Sequence, residues 1–284
     1  LVDHGEEVII PLPYWVSYSE MVNFAGGKSV FIPSKFEEGF AIDIEAMERS
    51  INDKTRVILF SSPNNPAGSS LSYDQLKQIA DIVKKHPKIT VISDEIYEHI
   101  TFDGEHTTIS QFDGISDQLI IVNGVSKGFA MTGWRIGYMV GPKELISACD
   151  KLQGQFTSGA NSIAQWAAAE AISGDMKPTQ NMLNTFRKRR DMMVELLSEI
   201  PGVETDTPKG AFYLFPKVSS FYGKEFGGRT INDSLDFCDY ILNTALVSLV
   251  PGVAFGMDEH VRISYASSEE ELREAMKRIK AALT

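Results

Sequence analysis

The chain has 284 residues, 43% of them hydrophobic, which is enough for one large domain or for a large and a small domain with full cores. Its formal net charge of -11 repels polyanions and makes nucleic acid a poor partner. The one basic cluster, residues 187–190, lies in a helical pattern whose other side is apolar, so we interpret it as a solvated face.

Membrane insertion, export and metal binding lack support in the sequence. No apolar run approaches the ~20 residues of a membrane span, and the first residues carry no basic segment typical of a signal peptide. Cys149 and Cys238 stand far apart without a CxxC pattern, and the five histidines are scattered, so we expect no disulfide and no metal site. A reduced, cytoplasmic location fits these features best.

Strands and helices alternate in the first half of the chain. A capping box at Ser72 and Gln75 opens the clearest helix, whose apolar spacing continues to Pro87. A strand, a loop, a helix and a further strand make a βαβ unit, which predicts a parallel sheet. Apolar, β-branched runs predict strands at residues 5–11, 29–32, 56–60, 89–92, 119–122 and 135–140.

The second half of the chain has a different pattern. Helical spacing extends to about residue 174, and a long amphipathic helix is predicted at residues 182–200. Short strands and helices then mix, which suggests a second, α+β domain. One side of the first helical stretch carries Ile163, Trp166, Ala167 and Ala171. The later elements are strands at 210–216, 247–251 and 261–265 and helices from about Ser234 and after Ser268, where Ser268 and Glu271 predict a second capping box.

Polar residues follow three successive predicted strands, namely Asn65, Asp94 and Lys127. The carboxyl ends of parallel strands meet at one edge of a sheet, where α/β proteins keep their ligand sites. A lysine there is costly unless its amine is neutral, paired or covalently used, and the nearby Arg135 favours a neutral, nucleophilic amine. We interpret Lys127 as a lysine that forms a Schiff base. The alternative is a surface lysine in a strand-to-helix loop.

Two neighbouring features have a functional and a structural interpretation. Asp94 ends an almost wholly apolar strand, so its ionised form needs a cation or several donors, unless it simply caps the next helix. Trp15, on a turn after the first strand, can offer a flat face to a planar ligand, or it can be ordinary core packing. An amine, a buried carboxylate, an amide, a flat aromatic and the phenol of Tyr97 together match the needs of pyridoxal phosphate.

At these residues the chain resembles the class I/II aminotransferases of pyridoxal-phosphate fold type I, close to bacterial aspartate aminotransferases. The resemblance covers essentially the whole chain in order. It implies an α/β fold: a mostly parallel sheet with helices on both faces in a large domain, plus a C-terminal α+β small domain. The motifs that carry it are residues 13–18 (PYWVSY), 64–68 (NNPAG), 93–97 (SDEIY), 126–138 (SKGFAMTGWRIGY) and 261–265 (VRISY).

The resemblance also implies roles for the residues around the cofactor ring. Lys127 forms the Schiff base and then shuttles a proton between the substrate Cα and the cofactor. Asp94 pairs with the pyridinium nitrogen and keeps it protonated. Tyr97 and Asn65 bond the ring oxygen O3′, and Trp15 stacks on the ring and borders the substrate.

The remaining implied roles concern the charged groups of cofactor and substrate. Arg135, helped by Ser126, binds the phosphate. Arg262 clamps the substrate α-carboxylate in a two-pronged interaction, with Asn65 also contacting the substrate. The clamp turns the Cα–H bond toward Lys127, so geometry selects which bond breaks. The implied partners are amino acid and 2-oxo acid substrates and a second copy of the chain.

The chain departs from the family pattern at three points. Gly124 stands where many relatives have a serine that touches the phosphate, and Ala67 stands where threonine is usual. The family's N-terminal segment, with its glycine-rich phosphate-binding helix start, has no counterpart in these residues. We therefore expect an incomplete large domain at residues 1–176, a small domain at 177–284, and poor cofactor binding by the 284 residues alone.

Several functions remain open at this point. The first is transfer of an amino group between an L-amino acid, with aspartate the guess from resemblance, and a 2-oxo acid such as 2-oxoglutarate. The second is another enzyme on the same scaffold, such as a C–S lyase or a cyclopropane-carboxylate synthase. The third is a regulatory domain that senses pyridoxal phosphate, and the fourth is a non-catalytic fragment that only folds or dimerises.

Overall fold

The computed structural model describes residues 1–284. Its N-terminal region, residues 1–176, is built around a six-stranded sheet in the order β2-β1-β5-β6-β7-β8. In chain order, the elements are β1 (Glu7–Pro11), α1 (Ser17–Phe24), β2 (Lys28–Ile32), β3 (Ser34–Lys35), β4 (Ala41–Ile42), α2 (Ile44–Ser50), β5 (Thr55–Ser61), α3 (Tyr73–Lys85), β6 (Thr90–Asp94), β7 (Leu119–Gly124), β8 (Gly137–Val140), α4 (Lys143–Phe156) and α5 (Ser162–Ser173).

Neighbouring strands of this sheet are parallel except for the last pair, β7 and β8, which is antiparallel. The mostly parallel sheet predicted from the sequence is therefore confirmed. The last strand starts two residues later than predicted. Arg135 has φ of 56°, a left-handed conformation that cannot continue a strand.

Side chains that alternate along the central strands bury both faces of the sheet. Ile58 and Phe60 of β5 pack with Leu76 and Ile79 of α3 on one face. Val57 and Leu59 pack on the other face, in a cluster with Val8, Ile10, Tyr18 and Val22. Helices on both faces follow from this period of two.

The helices α4 and α5 depart from the usual pattern of an apolar side turned inward. In α5 the small residues Ala164 and Ala168 are buried, whereas Ile163 and Trp166 are 71% and 79% exposed. In α4 no residue is buried, and Phe156 is 79% exposed. The predicted helix is present, but its large apolar side chains face outward.

The C-terminal region, residues 177–284, has its own core. This core of buried side chains includes Leu197, Phe237 and Met276, and Tyr97, Ile100 and Phe102 of the N-terminal region pack into it. The elements are α6 (Lys177–Ser198), β9 (Tyr213–Leu214), β10 (Glu225–Phe226), β11 (Arg229–Thr230), α7 (Ser234–Ala245), β12 (Val250–Pro251), β13 (Val261–Ser264) and α8 (Glu269–Leu283).

Capping boxes open both helices for which the sequence predicted them. Ser72 and Gln75 exchange the two reciprocal hydrogen bonds at α3, and Ser268 and Glu271 do so at α8. No helix is both long enough and apolar enough to cross a membrane.

The basic cluster at 187–190 is only partly a solvated face, because Arg190 is 6% exposed. It lies four residues after Phe186 and three before Met193, which places it on the buried side of α6. Its guanidinium bonds Asp103, Asp191 and the carbonyl of Pro208. Arg190 therefore forms structural ion pairs, and the prediction of a solvated cluster was wrong at this residue.

Candidate active site

The strands β5, β6 and β7 lie side by side and parallel, with Ser61 paired to Asp94 and Asp94 paired to Val122. Asn65 and Lys127 follow the ends of the outer two strands, and Asp94 ends the middle one. The predicted gathering at one sheet edge is confirmed. All eight residues singled out from the sequence line one cavity of about 390 Å³: Trp15, Asn65, Asp94, Tyr97, Ser126, Lys127, Arg135 and Arg262.

Asp94 lies at the floor of this cavity with neutral hydrogen-bond donors. The Tyr18 hydroxyl donates to Oδ2 at 2.7 Å, and the Ile96 backbone N–H donates to Oδ1 at 3.1 Å. Burial raises the pKa of Asp94, while these two bonds act in the opposite direction. The cation expected from the sequence is not supplied by an ion pair within the chain, so the carboxylate keeps capacity for a cationic ligand.

Lys127 lies half-buried at the side of the cavity. Its Nζ is 6.0 Å from the ring centre of Tyr97 and 5.9 Å from that of Phe212. Burial lowers the pKa of Lys127, followed by the charges of Arg135 and Arg262, and only Asp94 opposes them. These causes favour a neutral, nucleophilic amine, as the sequence indicated.

Arg262, on β13, supplies the positive charge at the opposite end. Its Nη1 donates to Asn65 Oδ1 at 3.0 Å, and its guanidinium carbon lies 4.7 Å from the ring centre of Tyr213 and 5.0 Å from that of Phe255. The Nε atom is buried and has no acceptor. A buried N–H without an acceptor is costly, and a carboxylate ligand would satisfy it.

The other predicted residues lie around the cavity wall. Trp15 packs edge-on against Tyr18 at 5.5 Å, and Arg135 is exposed, with Nη1 donating to the carbonyl of Thr132 at 3.0 Å. Ser126 lines the same wall.

The geometry of the β7 and β8 pair explains why position 124 is a glycine. A Cβ at this position would lie 2.8 Å from the carbonyl oxygen of Ile136 and 3.0 Å from the Cα of Gly137. No side chain fits there unless β8 shifts. The absence of a side chain at position 124 therefore permits the close pairing of Gly124 with Gly137.

Two tyrosines in the cavity had no role in the sequence analysis. Tyr18 bonds Asp94, and Tyr213 lies with its hydroxyl 3.2 Å from that of Tyr97. Both belong to stretches that the sequence pointed to, since Tyr18 closes the 13–18 motif and Tyr213 lies in the predicted strand 210–216. Nothing in those stretches reveals which phenol reaches which partner.

Glu95, Glu98 and His106 also come together, with one possible ligand atom of each within 4.8 Å of the others. The buried Glu95 carboxylate already accepts from Ser93 and Thr108 and pairs with His106 at 2.9 Å. These bonds account for the burial of Glu95, so the cluster is explained as a structural network that holds the segment after β6.

Comparison with known proteins decides the ancestry of the chain. The family model for aminotransferase class I and II matches residues 1–279. The chain belongs to the class I and II aminotransferase family. It is 49% identical to the bifunctional aspartate aminotransferase and glutamate/aspartate-prephenate aminotransferase of Petunia hybrida, over 98% of this chain and 59% of that protein. The chain thus spans less than two thirds of the length of that relative.

Two further family members give the same picture. A probable aspartate/prephenate aminotransferase of Rickettsia felis is 46% identical over 99% of this chain and 69% of its own length. The crystal structure of the aspartate aminotransferase from Rhizobium meliloti superposes with a TM-score of 0.96 at 42% identity, covering all of this chain and 72% of that one. The fold type I architecture inferred from the sequence is confirmed.

Class I and II aminotransferases depend on pyridoxal phosphate, and the cavity of this family member fits that group. Asp94 is a buried carboxylate that makes no ion pair within the chain, which suits a pyridinium nitrogen. Lys127 is an amine with a lowered pKa, which suits an aldehyde carbon.

Proposed function

We propose that the protein carrying this chain is a pyridoxal-phosphate-dependent aminotransferase that moves an amino group between an aspartate-like L-amino acid and a 2-oxo acid such as 2-oxoglutarate. The observation that supports it most is the meeting of Lys127 and Asp94 in one cavity with Arg262. The identity to enzymes named aspartate aminotransferase supports the substrate class.

Asp94 and Lys127 divide the work at the cofactor. Bound pyridoxal phosphate supplies an electron sink for the substrate carbon. Asp94 keeps a proton on the ring nitrogen, because its buried carboxylate is stabilised by a cation. Lys127 would hold the cofactor and, once the substrate amino group has replaced its amine there, would as a neutral amine carry the proton from the substrate Cα to the cofactor.

Arg262 and Asn65 bind and orient the substrate. The free Nε–H and the second Nη of Arg262 donate to the two oxygens of an α-carboxylate, while Asn65 fixes the guanidinium through Nη1. With the cofactor bound, Asn65 and Tyr97 would face the ring oxygen and Trp15 would cover the ring. Arg135 and Ser126 would hold the phosphate.

Transamination and lyase chemistry are separated by their products. The protein is incubated with pyridoxal phosphate and either L-aspartate with 2-oxoglutarate or L-cystathionine alone, and glutamate formation in the first mixture is compared with release of pyruvate and ammonia in the second. Glutamate as the main product supports the proposal. Pyruvate and ammonia would replace it with the C–S lyase type.

The lysine is tested without turnover. Borohydride treatment of the protein with pyridoxal phosphate, followed by digestion and mass spectrometry, is expected to place a pyridoxyl group on Lys127. A label on other lysines only would remove the chemical basis of the proposal. A label on Lys127 without any turnover would favour the regulatory function instead.

We also infer that the working form is a homodimer in the cytoplasm. Exposed apolar side chains on α4 and α5, led by Phe156, Ile163 and Trp166, form a surface of the kind that partners cover. The two free cysteines fit a reducing compartment. Light scattering of Trp166→Glu against the unmodified protein tests the assembly: a shift toward monomer is expected, and an unchanged mass contradicts the assignment of this surface.

The two regions defined above are proposed to be domains, with the boundary at residues 176 and 177. In support, α6 begins at Lys177 and carries Phe186, Met193 and Leu197 of the C-terminal core. Limited proteolysis that releases a stable fragment beginning near this boundary would support the division. Cleavage that destroys both regions together would contradict it.

A further inference from the structure

Tyr213 is held in place by backbone contacts from two sides. Its strand β9 pairs with β13, which carries Arg262, so that Ser264 faces Tyr213. Just before it, the N–H groups of Lys209 and Gly210 donate to the carbonyl of Gly68, and Ala211 donates to that of Ile100. Gly210 has no room for a Cβ, which would lie 2.6 Å from Pro63. The Tyr213 backbone is therefore tied to the Asn65 loop and to the segment of Tyr97.

The side chain of Tyr213 contacts the functional groups of Tyr97 and Arg262. Its hydroxyl lies 3.2 Å from the hydroxyl of Tyr97, and the two rings meet edge to face at 6.0 Å. The guanidinium carbon of Arg262 lies 4.7 Å from its ring centre. Tyr213 is 7% exposed, so both contacts are shielded from water, where hydrogen bonds and cation–π contacts are strongest.

We propose that Tyr213 is a positioning residue that couples the Arg262 guanidinium to the Tyr97 phenol, so that a carboxylate bound at Arg262 changes the hydrogen bond that Tyr97 gives to the cofactor oxygen. This inference rests on the proposed function for the role of Tyr97. The direct effect of the Arg262 charge on Tyr97 exists beside it, and Tyr213 adds a contact path.

The direction of the hydrogen bonds follows from the number of protons. Burial, and then the neighbouring Tyr213, raises the pKa of Tyr97 far above the usual value for tyrosine, so Tyr97 keeps its single proton. When Tyr97 donates that proton to the ring oxygen, its own oxygen is free to accept, and Tyr213 is the donor within reach. A phenol that accepts a bond becomes a better donor.

The Arg262 charge acts on the first member of this chain. A cation over the ring draws electron density from Tyr213 and strengthens its hydroxyl as a donor. A substrate carboxylate on Arg262 offsets that charge and weakens the hydrogen bonds of Tyr213 and Tyr97. Carboxylate binding at Arg262 thereby changes the hydrogen bond between Tyr97 and the cofactor oxygen.

The first test needs no cofactor. Tyrosine labelled with carbon-13 at Cζ gives one NMR signal per residue, and Tyr97 is assigned by Tyr97→Phe. Tyr213→Phe is expected to move the Tyr97 signal. Maleate is the dicarboxylate probe for Arg262, and the shift that it causes in the Tyr97 signal is expected to be roughly twofold smaller in Tyr213→Phe than in the unmodified protein. An equal maleate response in both proteins overturns the coupling.

The second test uses the protein with pyridoxal phosphate bound. Loss of a donor to Tyr97 leaves the ring oxygen less stabilised as an anion, so Tyr213→Phe is expected to raise the pH midpoint of the cofactor absorbance by about 0.5 units and Tyr97→Phe by more. In a Tyr97→Phe background, Tyr213→Phe is expected to cause no further shift of the midpoint, because the hydrogen bond between Tyr213 and Tyr97 is already lost.

The matched control is Tyr240→Phe, which removes a phenol of the same region whose hydroxyl donates to the Ala282 carbonyl, away from the cavity. Its midpoint is expected to equal that of the unmodified protein. The coupling is overturned if the unmodified protein titrates normally and Tyr213→Phe shows no shift. It is also overturned if Tyr213→Phe causes the same shift with and without Tyr97. Neither result contradicts the proposed function. No pyridoxyl group on Lys127 would overturn the proposed function, while the cofactor-free NMR result still decides the coupling.

Discussion

The two ends of the cavity bury opposite charges, and each end leaves its charge without a protein counter-ion. At one end the Asp94 carboxylate accepts only from a phenol and a backbone N–H, and at the other the Arg262 guanidinium has an amide oxygen and aromatic faces. Arg190, by contrast, is a buried charge that pairs with two carboxylates. A ligand with a cationic nitrogen and an anionic carboxylate would satisfy both ends, and this contrast marks the site as one built for binding.

Lys127 lies between the two ends, and its removal is expected to have the largest effect. Lys127→Ala loses both the attachment point and the proton carrier, so kcat should fall by on the order of 10⁴. The measurement is glutamate formation from 2-oxoglutarate, with mass spectrometry for the pyridoxyl group. The exposed Lys188→Ala is the control and should keep full activity. Retention of more than a few per cent by Lys127→Ala would remove lysine chemistry from the site.

Asp94→Asn separates activity from stability at the carboxylate end. Activity is expected to fall about 10³-fold, because a neutral amide cannot hold a proton on the ring nitrogen. Folding raises the pKa of Asp94, so its contribution to stability is present below the unfolded pKa and is lost as the pH rises through the folded pKa.

The cofactor-free Asp94→Asn protein should therefore unfold at pH 7 with a free energy at or above that of the unmodified protein. Urea titration of both proteins measures this difference. A large loss of stability would mean that the Asp94 carboxylate stabilises the fold and is not reserved for a ligand.

Arg262→Lys tests the opposite end. It keeps a positive charge but loses the planar pair of donors, so KM for the amino acid is expected to rise about 10²-fold, with a smaller change in kcat. Steady-state kinetics give both constants, and the yield of the pyridoxyl group on Lys127 should stay unchanged. A defect confined to kcat would place Arg262 outside substrate binding.

Tyr18→Phe tests the neutral donor that supports Asp94. It removes a 2.7 Å hydrogen bond worth about 1 to 3 kcal/mol to a charged acceptor, so the rate is expected to fall several-fold, far less than for Asp94→Asn. The pKa of Asp94 should rise, because that bond lowers it. Activity measured from pH 5 to 8 is expected to decline earlier on the acid side; an unchanged acid limb would contradict the link.

Arg135→Gln is expected to have the smallest effect in the cofactor-free protein. Arg135 lowers the pKa of Lys127, so its loss should raise that pKa and slow acylation of Lys127 at a fixed pH near 8. The rate is followed by mass spectrometry against pH. Lys188 gives the internal reference, since its surroundings are unchanged. An unaltered acylation rate of Lys127 would mean that burial, and not Arg135, lowers the pKa of Lys127.

Much of the fold could be predicted from local patterns. The apolar run of β5 and the capping boxes at Ser72 and Ser268 depend on neighbours in sequence, and all three are confirmed. The prediction was wrong at Arg190, where the run of four basic residues hid the helical position that turns this one inward. It was also incomplete at α5, because spacing shows that apolar residues share a side but not whether that side is covered.

By itself the sequence determined which chemical groups this protein presents at the ends of its parallel strands, since strand order and length fix where Asn65, Asp94 and Lys127 emerge. It could not determine the partners of those groups. The bonds of Tyr18 to Asp94, Tyr213 to Tyr97 and Asn65 to Arg262 join residues 76, 116 and 197 positions apart. Such contacts depend on how the two regions pack together, and only the tertiary structure decides that.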